Sequence, residues 1–440
     1  MNEEIYNLAK WSVDTAKTAG ADDCRAGINK TRFVNISYRD KKPESIKEAS
    51  SMSLFVEIFV DGRYSGQSTS DLRKESLKNF LANAVATTKL LAEDPYRTLP
   101  DPTYYEGRAD VDLGIMDPGY DQFTPDDRHN LVKTIEKACL DTGGEKTISV
   151  TASVRDNHSE SVVITSNGFE GSTESSYYNA GAQMAVKDEG DRRPQEYNFL
   201  TSRHRSDLPD PEQIGNMAAR RTLDLLGGKK IKTETLPIII ENRNVPRVAG
   251  GFLSAMFGGN IQQKQSFLAD KKGQSVASKY FTLIDDPHLT RGLGSQLFDG
   301  DGFASKKRTM IDSGVLNEFF IDWYYSQKLG WEPTTGGPSN LILPPGKRPV
   351  EEIMKDLGKG ILVTGFIGGN SNSTTGDFSV GIYGKLFENG IPVQTVVEMN
   401  IAGNHLDFWN RLVEVADDPW IYSSYRTPSI VIEDVVVSGI

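Results

Sequence analysis

Turn-forming residues between alternating apolar segments most restrict what this chain can fold into. Asn167-Gly168 and Asn389-Gly390 each separate two stretches in which apolar and polar residues alternate. Asp312-Ser313-Gly314 likewise separates "KKRTMI" from "VLNEFFI". Asn-Gly in this setting predicts a tight β-hairpin turn, because both residues tolerate a positive φ. Hairpins join antiparallel strands, so we expect large antiparallel sheets.

Helices precede and separate these strands. Thr124-Pro125-Asp126-Asp127 combines a hydroxyl N-cap, a proline at the first helical position and a carboxylate three residues after the cap, which predicts a helix ending near Thr142. Apolar periodicity predicts further helices over residues 3–19, over 71–92 with Ser70 or Asp71 as N-cap, and over 211–226.

The length of the chain predicts more than one domain, since 440 residues exceed what one ordinary core accommodates. We place an N-terminal domain at residues 1–228, with subregions of about 1–95 and 105–228 on either side of a proline-rich connector. A C-terminal domain follows at residues 229–440. The predicted fold class is α+β, with a mixed α/β N-terminal domain and a β-rich C-terminal domain of large antiparallel sheets and short helices.

Composition excludes several classes of protein. Hydrophobic residues make up 38% and charged residues 25% of the chain, a globular profile, and the longest apolar runs have the length of strands, not of membrane spans. A formal charge of −11 argues against direct nucleic-acid binding. The only two cysteines, Cys24 and Cys139, lack CxxC spacing, so we expect no disulfide framework and a cytoplasmic location.

No local motif predicts a catalytic or metal site. The five histidines are scattered, and HExxH, HExxxH and Cys/His clusters are missing. A GxSxG elbow and phosphate-binding glycine loops are missing as well. Asp299 and Asp301 in "FDGDGF" have a calcium-like spacing, but Asp-Gly pairs favour a turn. A catalytic triad assembled only in space stays open.

Four segments together resemble the TldD/PmbA family. They are "TSDLRKESLKNFLANAVATTKLLAEDPYRTLPDP" at 69–102, "DDP" at 285–287, "GNSNSTTGDFSVGIYGKLFENG" at 369–390 and "MNIAGN" at 399–404. Their order and spacing cover nearly the whole chain. The resemblance implies cytoplasmic, dimeric, two-domain subunits that process unfolded peptides, including microcin precursors and an antitoxin. It also implies the historical label "modulator of DNA gyrase".

The resemblance implies two subunit types. The D-type carries zinc on an HExxxH helix in its C-terminal half, and the E-type (PmbA/TldE-like) lacks this motif and associates with the D-type. In this chain the corresponding segment is "NRNVPRVAGGFLSAMFGGN" at 242–260, and no His, Glu, Asp or Cys occurs between Arg247 and Gly259. A catalytic zinc ion needs about three protein ligands. The chain therefore resembles the E-type, with no cofactor of its own and with zinc expected in the partner subunit.

The polar run that begins at Asn370 and the strand after it form the candidate site. In a structural interpretation, Thr375-Gly376-Asp377 forms a turn and Asn404 caps a helix over 405–416. In a functional one, the following strand offers its backbone to an extended peptide, and residues 370–375 form a mobile lip. The candidate groove or loop residues are Asn370, Thr375, Gly376, Asp377, Phe378, Ser379, Asn400 and Asn404.

Three hypotheses for the function follow. The first is a non-catalytic subunit of a metallopeptidase assembly that holds unfolded or extended peptides beside a zinc-bearing D-type partner. The second is a self-associating peptide-binding or regulatory protein with an indirect effect on DNA gyrase. The third is a hydrolase whose site is assembled only in three dimensions. None of the three requires contact with nucleic acid or membrane.

Overall fold

The computed structural model describes residues 2–440, which form an α+β fold. The helices are α1 (Glu3–Thr18), α2 (Lys74–Thr88), α3 (Pro125–Gly143), α4 (Pro211–Leu223), α5 (Val245–Ser254), α6 (Gly258–Gln262), α7 (Trp323–Leu329), α8 (Val350–Leu357) and α9 (His405–Asn410). The strands are β1 (Asp23–Arg39), β2 (Lys42–Val60), β3 (Arg63–Thr69), β4 (Thr147–Thr165), β5 (Glu170–Val186), β6 (Gln195–Ser202), β7 (Glu234–Ile240), β8 (Leu283–Asp285), β9 (Arg308–Asp312), β10 (Val315–Leu316), β11 (Leu341–Ile342), β12 (Lys359–Ser371), β13 (Asp377–Glu388), β14 (Ile391–Asn404), β15 (Leu412–Val415), β16 (Tyr425–Arg426) and β17 (Ile430–Ser438).

The first sheet is antiparallel and has the order β3-β2-β1-β4-β5-β6. β1 pairs with β4 over almost its whole length, so residues before and after the proline-rich connector share one sheet. Helices α1 and α2 cover the apolar side chains at one end of this sheet, and α3 and α4 cover those at the other. The division of the chain at residue 228 stays a prediction.

The third sheet, which carries the candidate site, closes on itself. Its order is β14-β13-β12-β7-β17-β15, and β14 also pairs with β17 through Asn400 with Ser438 and Ile401 with Val437. The strands β14, β13, β12, β7 and β17 therefore form a ring. Helix α5 packs its buried residues Val248 and Phe252 into the same core. A small sheet of order β10-β9-β8-β11-β16 adds to that core.

The predicted hairpins are confirmed. Asn167-Gly168 joins β4 to β5, Asn389-Gly390 joins β13 to β14, and Asp312-Ser313-Gly314 links β9 to β10. Thr124 forms the predicted capping box of α3 with Asp127. Among residues 2–440, no helix has the length and apolar character needed to cross a membrane.

Three predicted helices were wrong in their bounds. Helix α4 ends at Leu223, not at 226, and α2 ends at Thr88, not at 92. Helix α2 begins at Lys74, not at 71, with Arg73 at the N-cap position, because Asp71 instead binds the backbone and guanidinium of Arg73. Helix α9 ends at Asn410, not at 416. The next residues form β15, which pairs with β17 and buries Leu412 and Val415, so tertiary pairing overrides the helical pattern.

Candidate functional site

A groove of about 290 Å³ lies between α5 and the end of β12. Helix α5 contributes Arg247, Gly250 and Gly251, and β12 contributes Gly368 to Ser371. Phe378 and His405 line the groove as well. The groove therefore lies beside the helix on which the family resemblance places the zinc motif of D-type subunits.

The groove exists because β12 extends beyond the end of its neighbour β7. β7 pairs with β12 only at residues 361–363 and then ends at Ile240. The chain turns through the 3-10 segment Asn242–Asn244 into α5, whose first turn contains a proline. From Thr364 to Ser371 the α5 side of β12 pairs with no strand in the described part of the chain.

The end of β12 is an exposed, irregular edge. Residues Ile367 to Ser371 are all exposed. Its pairing with β13 shifts between Ile367 and Asn370, where Gly368 and Gly369 have φ values of +56° and +95°. Only glycine adopts such φ values without strain, so this pair permits the bulge. Arg247 donates to the Gly368 carbonyl at 2.8 Å and so links α5 to this edge.

Ser371 and His405 both line the groove and contact each other. Their Oγ and Nε2 atoms are 2.9 Å apart. A Cβ atom on Gly251 would lie 2.4 Å from Ser371 Oγ and 2.5 Å from His405 Nε2. Gly251 is therefore what allows α5 to approach this pair.

His405 is buried among aromatic rings. Phe378 stacks on one side of its imidazole at 4.8 Å between centroids, and Phe267 stacks at 6.0 Å. Burial lowers the pKa of His405 to about 4, so the imidazole is neutral at pH 7. Its Nδ1 atom is buried without a hydrogen-bond partner among the described residues.

Four of the predicted site residues form a hydrogen-bonded turn beside the groove. The Thr375 hydroxyl donates to Asp377 at 2.7 Å. The Asn404 side-chain amide donates to the Thr375 carbonyl and to Asp377, at 2.9 Å and 3.0 Å. Gly376 supplies the left-handed position at φ +84°. Hydrogen bonds from Thr375 and Asn404 hold the pKa of Asp377 below its ordinary value.

The remaining predicted residues divide between the groove and the sheet. Asn370 and Phe378 line the groove. Ser379 on β13 and Asn400 on β14 lie on neighbouring strands, and the Asn400 side-chain amide donates to Ser379 Oγ at 3.1 Å. Asn404 also caps α9 by accepting from Leu406 N–H at 3.0 Å. Whether any of these residues contacts a peptide stays a prediction.

Gly251, Ser371 and His405 were not among the candidate site residues, although Ser371 lies within the predicted lip at residues 370–375. Only the glycine pair at 250–251 inside an otherwise apolar helix gave a local signal, because glycine is unfavourable in helix interiors and so indicates a close approach. Ser371 and His405 are 34 residues apart, and nothing in their local sequence predicts that they meet.

One part of the functional interpretation was wrong. β13 was expected to offer its backbone to a peptide, but it pairs with β12 on one side and with β14 on the other, as far as Asp377. Its main-chain groups are therefore already engaged. The open edge belongs to β12 instead.

The residues around the groove do not fit a zinc ion. Among the lining residues, only His405 carries a usual zinc donor, while Arg247 adds a positive charge. Across residues 2–440, no group of three or more His, Cys, Asp or Glu side chains is arranged to hold a metal. We therefore derive no reaction step through a metal in this chain.

Comparison with protein-family models identifies the family of this chain. Three PmbA/TldA metallopeptidase models match the chain: domain 1 at residues 24–88, the central domain at 119–226 and the C-terminal domain at 233–439. The chain belongs to the PmbA/TldD metallopeptidase family. Within this family, "Metalloprotease PmbA" of Escherichia coli O157:H7 is 27% identical over 95% of this chain and 93% of its own length.

Solved structures of the family have the same fold. A protein from Bacteroides thetaiotaomicron, called a modulator of DNA gyrase, superposes with a TM-score of 0.97 at 37% identity over 100% of both chains. TldE from Thermococcus kodakarensis gives a TM-score of 0.86 at 21% identity over 99% of this chain and 100% of its own, which shows a shared fold.

Proposed function

We propose that this chain is the E-type (PmbA/TldE-like) subunit of a TldD/PmbA metallopeptidase system. It holds an unfolded or extended peptide in the cytoplasm, and a D-type partner supplies the zinc. The observation that carries this proposal is the pairing of a donor-free helix with an open strand edge. Helix α5 has no imidazole, carboxylate or thiol, yet it forms one side of a groove whose other side is backbone that pairs with no strand in the described chain.

The chemistry of α5 supports a non-catalytic role. Zinc-dependent peptide hydrolysis needs several protein ligands and a general base close to the metal-bound water. Val248, Phe252 and Leu253 of α5 are buried in the core, and Gly250 and Gly251 carry no functional group. The helix therefore supports the groove and supplies none of the groups that this reaction requires.

The backbone of β12 supports binding of extended peptides. The regular part of this edge, residues 364–367 before the bulge at Gly368-Gly369, spans about 10 Å, which matches a peptide segment of similar length. Main-chain hydrogen bonds to such an edge recognise no particular side chains, which suits unfolded substrates. Arg221 and Asn244 already bind the Thr364 carbonyl and so fix the start of this edge.

Reconstitution tests the subunit role. The purified chain is analysed for bound metal by mass spectrometry and assayed on an unfolded peptide, alone and with its D-type partner. We expect no stoichiometric zinc and no cleavage alone, with cleavage when the partner is added. Stoichiometric zinc with chelator-sensitive cleavage by the isolated chain would contradict the proposal. No effect on the partner's cleavage would favour the self-associating peptide-binding or regulatory protein.

A matched pair of glycine substitutions tests the groove. A Cβ on Gly250 meets no atom within 4 Å, so Gly250→Leu starts its side chain in open space beside the groove and removes a helix-destabilising glycine. Gly300 is also exposed and open, so Gly300→Leu is the control. We expect calorimetry to show peptide binding lost in Gly250→Leu alone.

Alternate N-methylation of the peptide backbone should abolish binding to the unmodified chain; equal binding of methylated peptide would overturn the strand-edge mode.

A hydrolase assembled in three dimensions is the second candidate, and the Ser371–His405 contact at 2.9 Å favours it. A serine nucleophile needs its histidine to accept a proton and needs a third group to orient that histidine. Nδ1 of His405 has no such partner in the described chain, and the surrounding rings disfavour an imidazolium. Cleavage by the isolated chain that resists chelators and disappears in Ser371→Ala would establish this candidate.

A further inference from the structure

A larger cavity of about 590 Å³ lies away from the groove. It forms where β6 and α4 meet the segment Glu241–Arg243 and the loop that carries Trp420 and Tyr422. It shares no lining residue with the groove. Its volume is within the range of small-molecule sites in proteins.

Three arginines, Arg220, Arg221 and Arg243, line this cavity. Arg221 is neutralised by Glu241 in a two-point ion pair with N···O distances of 2.5 Å and 2.8 Å. Among the residues that the structure describes, no carboxylate lies within ion-pair distance of Arg220 or Arg243. Two of the three positive charges therefore face the cavity without a direct counter-ion.

Arg243 is the more unusual of these two. Its guanidinium donates to the Asn198 side-chain oxygen at 3.2 Å and to the Tyr197 carbonyl at 3.4 Å, both neutral acceptors. Burial and the nearby Arg221 lower the pKa of Arg243. A partly buried cation without an anion is costly, because neutral acceptors replace its hydration incompletely.

The nearby acidic residues are engaged elsewhere. Glu196 accepts from the Tyr383 hydroxyl, and Asp418 accepts from Ser429 at 2.8 Å. Glu241 is held by Arg221. The charge on Arg243 is therefore balanced only at a distance by residues of this chain.

Aromatic rings line the cavity next to Arg243. The ring centroids of Trp420 and Tyr422 are 5.2 Å apart, and the Arg243 guanidinium carbon is 5.6 Å from the Trp420 ring centroid. The side-chain amides of Asn198, Gln213 and Asn216 also line the cavity. Aromatic faces beside guanidinium groups suit a ligand with a flat apolar part and an anionic part.

We propose that this cavity binds a small organic anion. A carboxylate or phosphate group pairs with Arg243 and Arg220, and a flat apolar body packs against Trp420 and Tyr422. An anion would supply the counter-charge that Arg243 lacks, and each charge-assisted hydrogen bond is stronger than the neutral contacts it replaces. This proposal is independent of peptide binding in the groove.

Calorimetry with two pairs of probes tests the site and separates the two anion sources. N-acetyltryptophan is compared with neutral N-acetyltryptophanamide, and AMP with adenosine. We expect saturable binding of at least one acid and at least tenfold weaker binding of its neutral analogue. Tighter binding of N-acetyltryptophan assigns a carboxylate ligand, and tighter binding of AMP assigns a phosphate ligand.

Two Arg→Gln variants complete this test. Arg243→Gln should weaken binding of the acid by about tenfold to a hundredfold, the loss typical of a hydrogen bond to a charged group. Arg73→Gln, on the exposed start of α2, should bind like the unmodified chain. Absence of binding by both acids, equal binding of neutral analogues, or unchanged affinity in a folded Arg243→Gln variant would each overturn the proposal.

Discussion

Ser371 Oγ and His405 Nε2 lie 2.9 Å apart and tie the end of β12 to the start of α9. Both residues line the groove, and α5 approaches their contact closely only because residue 251 has no side chain. The pair thus links the open strand edge, the donor-free helix and the turn at residues 372–377.

Gly251→Ala should destabilise the protein. The added methyl group would overlap Ser371 and His405, and such overpacking typically costs about 1–3 kcal/mol. Gly250→Ala is the matched control one residue earlier, where a Cβ meets open space and the gain in helix propensity is about 0.8–1.0 kcal/mol. Urea unfolding of the two variants should therefore shift in opposite directions. Equal shifts would show that α5 does not approach the pair closely.

Burial of His405 makes stability depend on pH. Its pKa falls from 6.5 to about 4 on folding, so the unfolded chain binds a proton more readily between those values. This contribution to stability is fully present above about pH 6.5, declines as the pH falls and is lost below about pH 4. Between pH 7 and pH 5 the loss should be about 2 kcal/mol.

The comparison protein for this measurement is His405→Gln, which keeps a polar side chain but does not titrate. Urea unfolding of both proteins at pH 7 and pH 5 separates the histidine from the carboxylates, which titrate in both. The difference in unfolding free energy between the unmodified chain and His405→Gln should be about 2 kcal/mol smaller at pH 5 than at pH 7. A difference that does not change with pH would mean that His405 is not buried in its neutral form.

Asp377 should act as a structural anchor, because its carboxylate joins Thr375 to Asn404 and its backbone begins β13. Asp377→Ala should lower the melting temperature without changing peptide association in calorimetry. Asn404→Ala should cost about 1 kcal/mol through loss of the α9 cap. Lost peptide association at an unchanged melting temperature would reverse the assignment for Asp377.

The ion pair between Arg128 and Asp156 should be essential to the first sheet. Both side chains are buried, at 2% and 1% exposure, and Tyr120 also donates to Asp156 at 2.8 Å. Asp156→Ala leaves the arginine charge buried and should cost about 3–5 kcal/mol in urea unfolding. Asp141→Ala breaks the exposed pair with Lys137 and should change stability by less than about 1 kcal/mol.

Local chemistry explains which parts of the fold were predictable. The capping box at Thr124 and the turn at Asn389-Gly390 depend on residues that are adjacent in the chain, so their geometry can be predicted before any packing is known. The bounds of α9 could not be predicted in this way, because the pairing of Leu412 with Ile432 in β17 decides where that helix ends.

The candidate site was predictable in part. The segment 370–379 contains both the lip of the groove and the turn beside it, and the lack of zinc donors between Arg247 and Gly259 is visible in the sequence. The open edge on β12 was not predictable, since it results from β7 ending at Ile240 more than 120 residues earlier. The sequence of β13, by contrast, predicted a strand correctly but did not indicate that both edges of this strand are paired.

The sequence by itself determined the antiparallel hairpins, the capped start of α3, the family and the absence of zinc ligands on α5, because each depends on residues close together or on their presence alone. Only the tertiary structure decided that Gly251, Ser371 and His405 meet, that the third sheet closes into a ring, and that Arg243 faces a cavity without a counter-ion. Contacts between residues far apart in the chain arise from packing the whole core, and no local pattern encodes them.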